Sequence, residues 1–174
     1  EAVADLLQAH QLPFLRRVHE PPEPRKLRAL TKFVEELGIG TSSLESRFAL
    51  QHLLNMVAGQ PQQHAVNFAL LRSLQRAVYS PLEEGHFALA SKCYCHFTSP
   101  IRRYPDLLIH RLLRSLDQGR PAKQGKDVLH ILGTHCSDRE QRAEQAEREL
   151  VRVKLLSYLS TRLGEEMDAK VTGV

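Results

Sequence analysis

No stretch of this 174-residue chain is apolar over the roughly 18 residues that a membrane-spanning helix needs. No internal repeat or low-complexity tract is visible either. Cysteine is scarce: three residues cannot all pair with one another, which argues against a disulfide scaffold and for a reducing cytosol. The opening residues, EAVADLLQAH, are polar and amphipathic, unlike a secretory leader. Aspartate is sparse as well. The six, at Asp5, Asp106, Asp117, Asp127, Asp138 and Asp168, are scattered, and no Asp-x-Asp occurs, so no acidic metal cluster can be read from the sequence. What remains is a composition ordinary for a globular protein, 42% hydrophobic and 25% charged, long enough for one domain with its own core. A cytoplasmic protein without membrane contact is expected.

The net charge of +4 is mild, but it is concentrated. Residues 91–120 carry Lys92, Arg102, Arg103, Arg111, Arg114 and Arg120 against Asp106 and Asp117, an excess equal to that of the whole chain. A local basic patch suggests a polyanionic partner. On charge alone, a solvated helix face fits as well.

Periodicity predicts mostly helices. Val3, Leu6 and Leu7 fit a first helix within Ala2 to His10. PFLRRVH (13–19) is short enough for a strand, and EPPEP (20–24) is a rigid break. Arg25 to Leu37 carries one apolar stripe and stops at Gly38. A start signal at Thr41 to Ser43 predicts a helix running on to Gly59, and another follows Pro61. Residues 79–98 lack helical period and read as loop or short strand pieces. Ser99 and Pro100 are the N-cap and first-turn signals of a helix reaching about Leu116. Pro105 should kink its first turns or move its true start. Lys126 to Leu163 is helical, with an interruption expected near Gly133. The chain begins at Glu1 inside a helical pattern and ends on DAKVTGV, which reads as a strand just beginning. Both ends are therefore expected to be cuts through a longer protein.

The stretch HFTSPIRRYPDLLIHRLL (96–113) holds most of the chemistry. A helix N-terminus offers free N–H groups and a positive dipole end to an anion. Thr98 and Ser99 add hydroxyls, Arg102 and Arg103 add forked guanidiniums that match phosphate oxygens, and Tyr104 adds a ring and a hydroxyl. Asp106 and His110 are four apart, so Asp106 could orient an arginine or accept from His110. From these residues alone, a phosphate-backbone site and a capped core helix with surface arginines both stay open. Cys93, Cys95, His96, His135 and Cys136 make a poor zinc pattern and read better as free thiols and histidines. His86 fits packing better than catalysis. Phe33, Phe48, Phe68 and Phe87 are expected in the core, which leaves Tyr79 and Tyr104 as the candidates for stacking on a base. Glu144 and Glu149 read as a solvated helix face.

The string GHFALASKCYCHFTSPIRRYPDLLIHRLL (85–113) resembles the signature of the RNB family, the exoribonucleases of the RNase II and RNase R kind, and most nearly the bacterial RNase R wording. EAVADLL, PFLRRVHEPPEPRKL, RAVYS and RAEQAEREL follow the family in the same order, so the resemblance covers nearly the whole chain. It implies a processive 3′→5′ exoribonuclease that hydrolyses single-stranded RNA to nucleoside 5′-monophosphates with bound Mg²⁺ and acts as a monomer when intact. It implies that Arg102, the arginine of SPIR, is catalytic by stabilising the scissile phosphate. Glu147, the acid of AER, would contact the RNA near its 3′ end, and Thr98, Ser99, Arg103 and Tyr104 would bind the backbone.

The resemblance is incomplete at one place that matters. The family's metal-holding aspartates are absent from this chain, so the Mg²⁺ ligands are expected upstream of it. Ala88 and Cys95 also replace the glycine and the small or hydroxyl residue common at those places. The implied fold is α+β: residues 1–163 as the mostly helical C-terminal portion of an RNB catalytic domain, and 164–174 as the first strand of a truncated OB-type RNA-binding barrel. An RNA-binding piece without catalytic activity of its own is the alternative reading of the chain taken alone.

Overall fold

The computed structural model describes residues 1–41, 43–120 and 125–168. Among these residues, six α-helices and a two-stranded antiparallel sheet are arranged around two main apolar centres, an α+β architecture dominated by helix.

The first centre belongs to a three-helix group: α2 (Pro24–Glu36), α3 (Arg47–Val57) and α4 (Gln63–Ser73). Pro24, the last residue of the EPPEP break, occupies the first turn of α2, where its missing N–H costs no helical bond. Leu27, Leu30 and Val34 of α2 meet Leu50, Leu53 and Val57 of α3 and Val66 and Leu70 of α4, with Leu44 closing the cluster. The start of α3 differs from expectation. Its N-cap is Ser46, whose Oγ accepts from the Ala49 N–H at 3.1 Å, rather than a residue at 41–43. Phe48 and Phe68, expected in the core, are exposed, Phe48 by 74%. Each lies under an arginine guanidinium, Arg47 and Arg72, while Phe33 and Phe87 do pack on the cluster.

The second centre lies between α1 (Ala2–Ala9), the 12–14 segment and α5 (Tyr104–Asp117). Ala4, Leu7, Leu12 and Phe14 enclose Cys93, Cys95 and Ile109. All three cysteines are free, and burial pushes the Cys95 thiol up to about 11. Strand β1 (Arg16–Val18) pairs antiparallel with β2 (Val78–Ser80), Arg17 opposite Tyr79.

The long helix α6 (Lys126–Ser160) crosses behind β2. Gly133 does not interrupt it. A Cβ there would stand 2.5 Å from the Tyr79 carbonyl oxygen, so the glycine is what allows helix and strand backbones to approach. The next turn fixes the contact: Ser137 Oγ accepts the Tyr79 N–H at 2.9 Å and donates to the Gly133 carbonyl at 2.8 Å. Beyond Ser137 the helix is largely exposed. No helix is long and apolar enough to cross a membrane, among the described residues. Residues 164–168 have no regular secondary structure, and the strand expected from DAKVTGV falls, apart from Asp168, outside the described residues.

Candidate RNA-binding cleft

The TSPIRR segment folds as a turn before its helix begins. Ser99 does not cap α5. The Ser99 carbonyl accepts from the Arg102 and Arg103 N–H groups at 3.3 and 3.0 Å, and the helix starts at Tyr104 with Pro105 in its first turn. Of the two effects expected of Pro105, the shifted start is the one observed. It follows from the ring's missing donor, which costs no helical bond in a first turn but would break one deeper in a helix.

Asp106 locks this turn. Its side chain is fully buried, and Oδ2 accepts both the Ser99 backbone N–H and Arg103 Nη2 at 2.8 Å. The anion at this helix start is thus the chain's own carboxylate. The Ser99 N–H is committed to it, which leaves the hydroxyl as the Ser99 group open to a phosphate. His110 does not reach Asp106. Its Nε2 bonds the Phe97 carbonyl at 2.9 Å and its ring stacks on Phe97. One oxygen of Asp106 and Nε of Arg103 are buried with no partner, so the pair is tight but not saturated.

The two adjacent arginines consequently have different fates. Arg103 is 21% exposed and tied inward to Asp106. Arg102 projects from the turn, exposed, and its guanidinium has no partner among the described residues. It stands on one wall of an open cleft of about 790 Å³, beside Arg103, Tyr104 and Pro105. Tyr104 is 47% exposed and presents a usable face. Thr98 is exposed ahead of the turn, and neither Thr98 nor Ser99 lines the cleft.

The opposite wall is α6. His135, Arg139, Ala143 and Glu147, each four residues from the next, present one helix face to the cleft. Glu147 therefore shares the cleft with Arg102, although 45 residues separate them in sequence. Sequence reasoning passed over His135 and Arg139 as cleft-lining groups. The signal was the four-residue spacing counted back from Glu147. Glu140 and Glu144 also border the cleft but are engaged elsewhere: Glu140 with Arg17 at 2.6 Å, Glu144 with Arg76 and Arg148.

The floor is buried and uncharged at Tyr79. Tyr79, a stacking candidate from sequence, is only 6% exposed. The Arg17 guanidinium covers its ring at 4.6 Å, and its hydroxyl is hydrogen-bonded to His96 Nδ1 at 2.9 Å. Burial pushes the phenol up to about 12, partly opposed by Arg17, so it stays protonated. Burial and the positive charges of Arg103 and Arg17 push His96 down to about 4, so it is neutral at ordinary pH. Cys136, also on the cleft, has its thiol pushed up by burial and stays protonated.

His86 serves packing. Its ring stacks on His19 at 5.0 Å, meets Tyr94 edge-on, and accepts the Leu89 N–H. No group of three or more His, Cys, Asp or Glu side chains is placed to hold a metal ion, among the described residues.

The chain resembles known proteins over nearly its whole length. Residues 1–118 match the model of the RNB domain. Ribonuclease R 1 of Lactococcus lactis is 41% identical over all of this chain, which covers 22% of that protein. The apo form of Mycoplasma genitalium RNase R superposes with a TM-score of 0.84 at 32% identity, over 95% of this chain and 27% of that one. The same enzyme in complex with ribose-methylated single-stranded RNA gives a TM-score of 0.80 at 31% identity, with the same coverage of both chains. The chain thus spans about a quarter of the length of these proteins.

Proposed function

Because the chain belongs to the RNB family, we propose that it is the substrate-holding part of a 3′→5′ exoribonuclease of the RNase R kind, acting on single-stranded RNA and releasing nucleoside 5′-monophosphates. The observation that carries the reading is the meeting of Arg102 and Glu147 across one cleft. The RNA complex known for Mycoplasma RNase R supports RNA as the ligand.

In this proposal Arg102 is catalytic. Hydrolysis of a phosphodiester gathers negative charge on the non-bridging oxygens, and a preorganised guanidinium is worth most there because it needs no reorganisation as that charge develops. The Asp106–Arg103 pair holds the turn, so Arg102 is presented without a competing carboxylate. Glu147 accepts from RNA hydroxyls near the 3′ end. Tyr104 offers its face or hydroxyl to a nucleotide, and Thr98, Ser99 and Arg103 steady the backbone at the rim.

The described residues do not suit Mg²⁺, since no carboxylate set is assembled among them. In the proposal Mg²⁺ would be held by residues of a longer protein, where it would supply charge neutralisation and an activated water. Taken alone, the chain is then an RNA-binding piece without hydrolytic activity. Residues 1–163 are proposed as catalytic-domain sequence and 164–174 as the start of an OB-type barrel, in a cytoplasmic protein that works as a monomer.

The test uses 5′-labelled single-stranded RNA with Mg²⁺. The full-length protein should shorten it from the 3′ end one nucleotide at a time, and the chain alone should leave it intact. In the full-length protein, Arg102→Ala should lower turnover far more than RNA affinity. Equal losses in both would refute the catalytic role of Arg102.

A further inference from the structure

We propose that Arg139, with His135 one turn before it on α6, forms a second phosphate position in the cleft, taking the phosphodiester next to the nucleotide held at Arg102 and Glu147. The inference rests on the reading of this cleft as the RNA site.

Three arginines line the cleft, Arg102, Arg103 and Arg139, and three glutamates, Glu140, Glu144 and Glu147. Summed naively, the site is neutral and no place for a polyanion. The internal pairs change this. Arg103 is taken by Asp106, Glu140 by Arg17, and Glu144 by Arg76 and Arg148. Of the cleft's own arginines and glutamates, those left without a partner among the described residues are Arg102, Arg139 and Glu147. The other two glutamates of the cleft, Glu140 and Glu144, turn to arginines outside it.

Geometry separates the roles. Arg139 and Glu147 lie on one face of α6 two turns apart, about 12 Å along the axis. A strand running along the helix meets them at different nucleotides. Glu147 alone would repel a phosphate and suits hydroxyls. Arg139 supplies the forked donor that matches phosphate oxygens. His135, exposed one turn earlier, adds a ring nitrogen on the same line.

The experiment uses the full-length protein without Mg²⁺, measuring affinity for a labelled decauridylate at several KCl concentrations. UMP and the dinucleotide pUpU serve as competitors. Arg139→Ala should weaken decauridylate binding about tenfold, the effect of losing one charge-assisted contact. It should also reduce the slope of log affinity against log salt by about 0.7, one phosphate contact on a single strand. Competition by pUpU should weaken, and competition by UMP should not change. Arg139→Lys should restore the slope. Arg142→Ala, an exposed arginine off the cleft, is the control for general charge. An Arg139→Ala protein indistinguishable from that control overturns the second position. If Arg102→Ala and Glu147→Gln are equally silent in binding and turnover, the reading of the cleft itself has failed, a different result.

Discussion

Asp106 and Ser99 are joined across seven residues: the buried carboxylate accepts the Ser99 backbone N–H and, through the same oxygen, the Arg103 guanidinium, both at 2.8 Å. One side chain thereby fixes the turn that presents Arg102 and the first turn of the helix that follows it. Removing it leaves Arg103 partly buried without its counter-ion and the Ser99 N–H without its acceptor.

Asp106→Ala should therefore cost about 3 kcal/mol or more, the range for breaking a buried ion pair from one side. Asp106→Asn keeps an acceptor for Ser99 and loses only the charge, so it should cost less. Urea unfolding of the chain followed by circular dichroism measures both. Equal stability of wild type and Asp106→Ala would mean that the turn holds itself.

Gly133 tests the joint between β2 and α6. At an exposed helical site, glycine to alanine stabilises by about 1 kcal/mol. Here the new Cβ would meet the Tyr79 carbonyl oxygen at 2.5 Å, with Leu15 Cδ2 at 3.3 Å. Backbone cannot yield as a side-chain tip can. Gly133→Ala should reverse the usual sign and destabilise by about 1–3 kcal/mol, the range for overpacking. A melting temperature unchanged or raised would show that α6 is free to lift from the strand.

The helices and the family were legible in the sequence because each has a local cause. Apolar stripes set α2 and α3, Pro24 and Gly38 bounded α2, and the 85–113 string is long enough to be specific. What sequence missed depends on contacts from far away. Gly133 read as a helix break because its partner, the Tyr79 carbonyl, is more than fifty residues distant. Tyr79 read as a free ring because nothing local announces the Arg17 guanidinium above it. Ser99 read as a cap because Ser-Pro is a good one, but the carboxylate of Asp106 claims its N–H for a turn. Arg102 and Glu147 were found by family wording, and only the fold shows that they face one cleft.

The phenylalanines give a sharper contrast. Helical spacing put Phe48 in the core, yet it is 74% exposed, while Leu53 on the same helix is fully buried. Phe48→Ser should change stability by no more than about 0.5 kcal/mol, as for most surface substitutions. Leu53→Ala should cost about 2–5 kcal/mol, the loss of transfer energy plus the cavity left behind. Denaturant midpoints of the two variants decide the matter. A large loss in Phe48→Ser would mean that its ring is covered in solution.

The cleft floor should carry its own pH dependence. His96 is neutral in the folded chain down to about pH 4, whereas an unfolded histidine protonates near its ordinary 6.5. Between those values the unfolded chain binds the extra proton and the folded chain does not. Stability from this site is therefore fully present above about pH 6.5, declines as pH falls through the window, and is constant again below about pH 4. The groups facing His96 set the direction. Arg103 and Arg17 disfavour its protonation, Asp106 and Glu140 favour it, and burial outweighs them all. His96→Gln keeps a polar partner for the Tyr79 hydroxyl and cannot titrate. Its unfolding free energy, measured from pH 7.5 to 4, should fall less steeply than that of the wild type. Parallel curves would assign the acid sensitivity to other groups and show that the Tyr79–His96 hydrogen bond survives a charged imidazole.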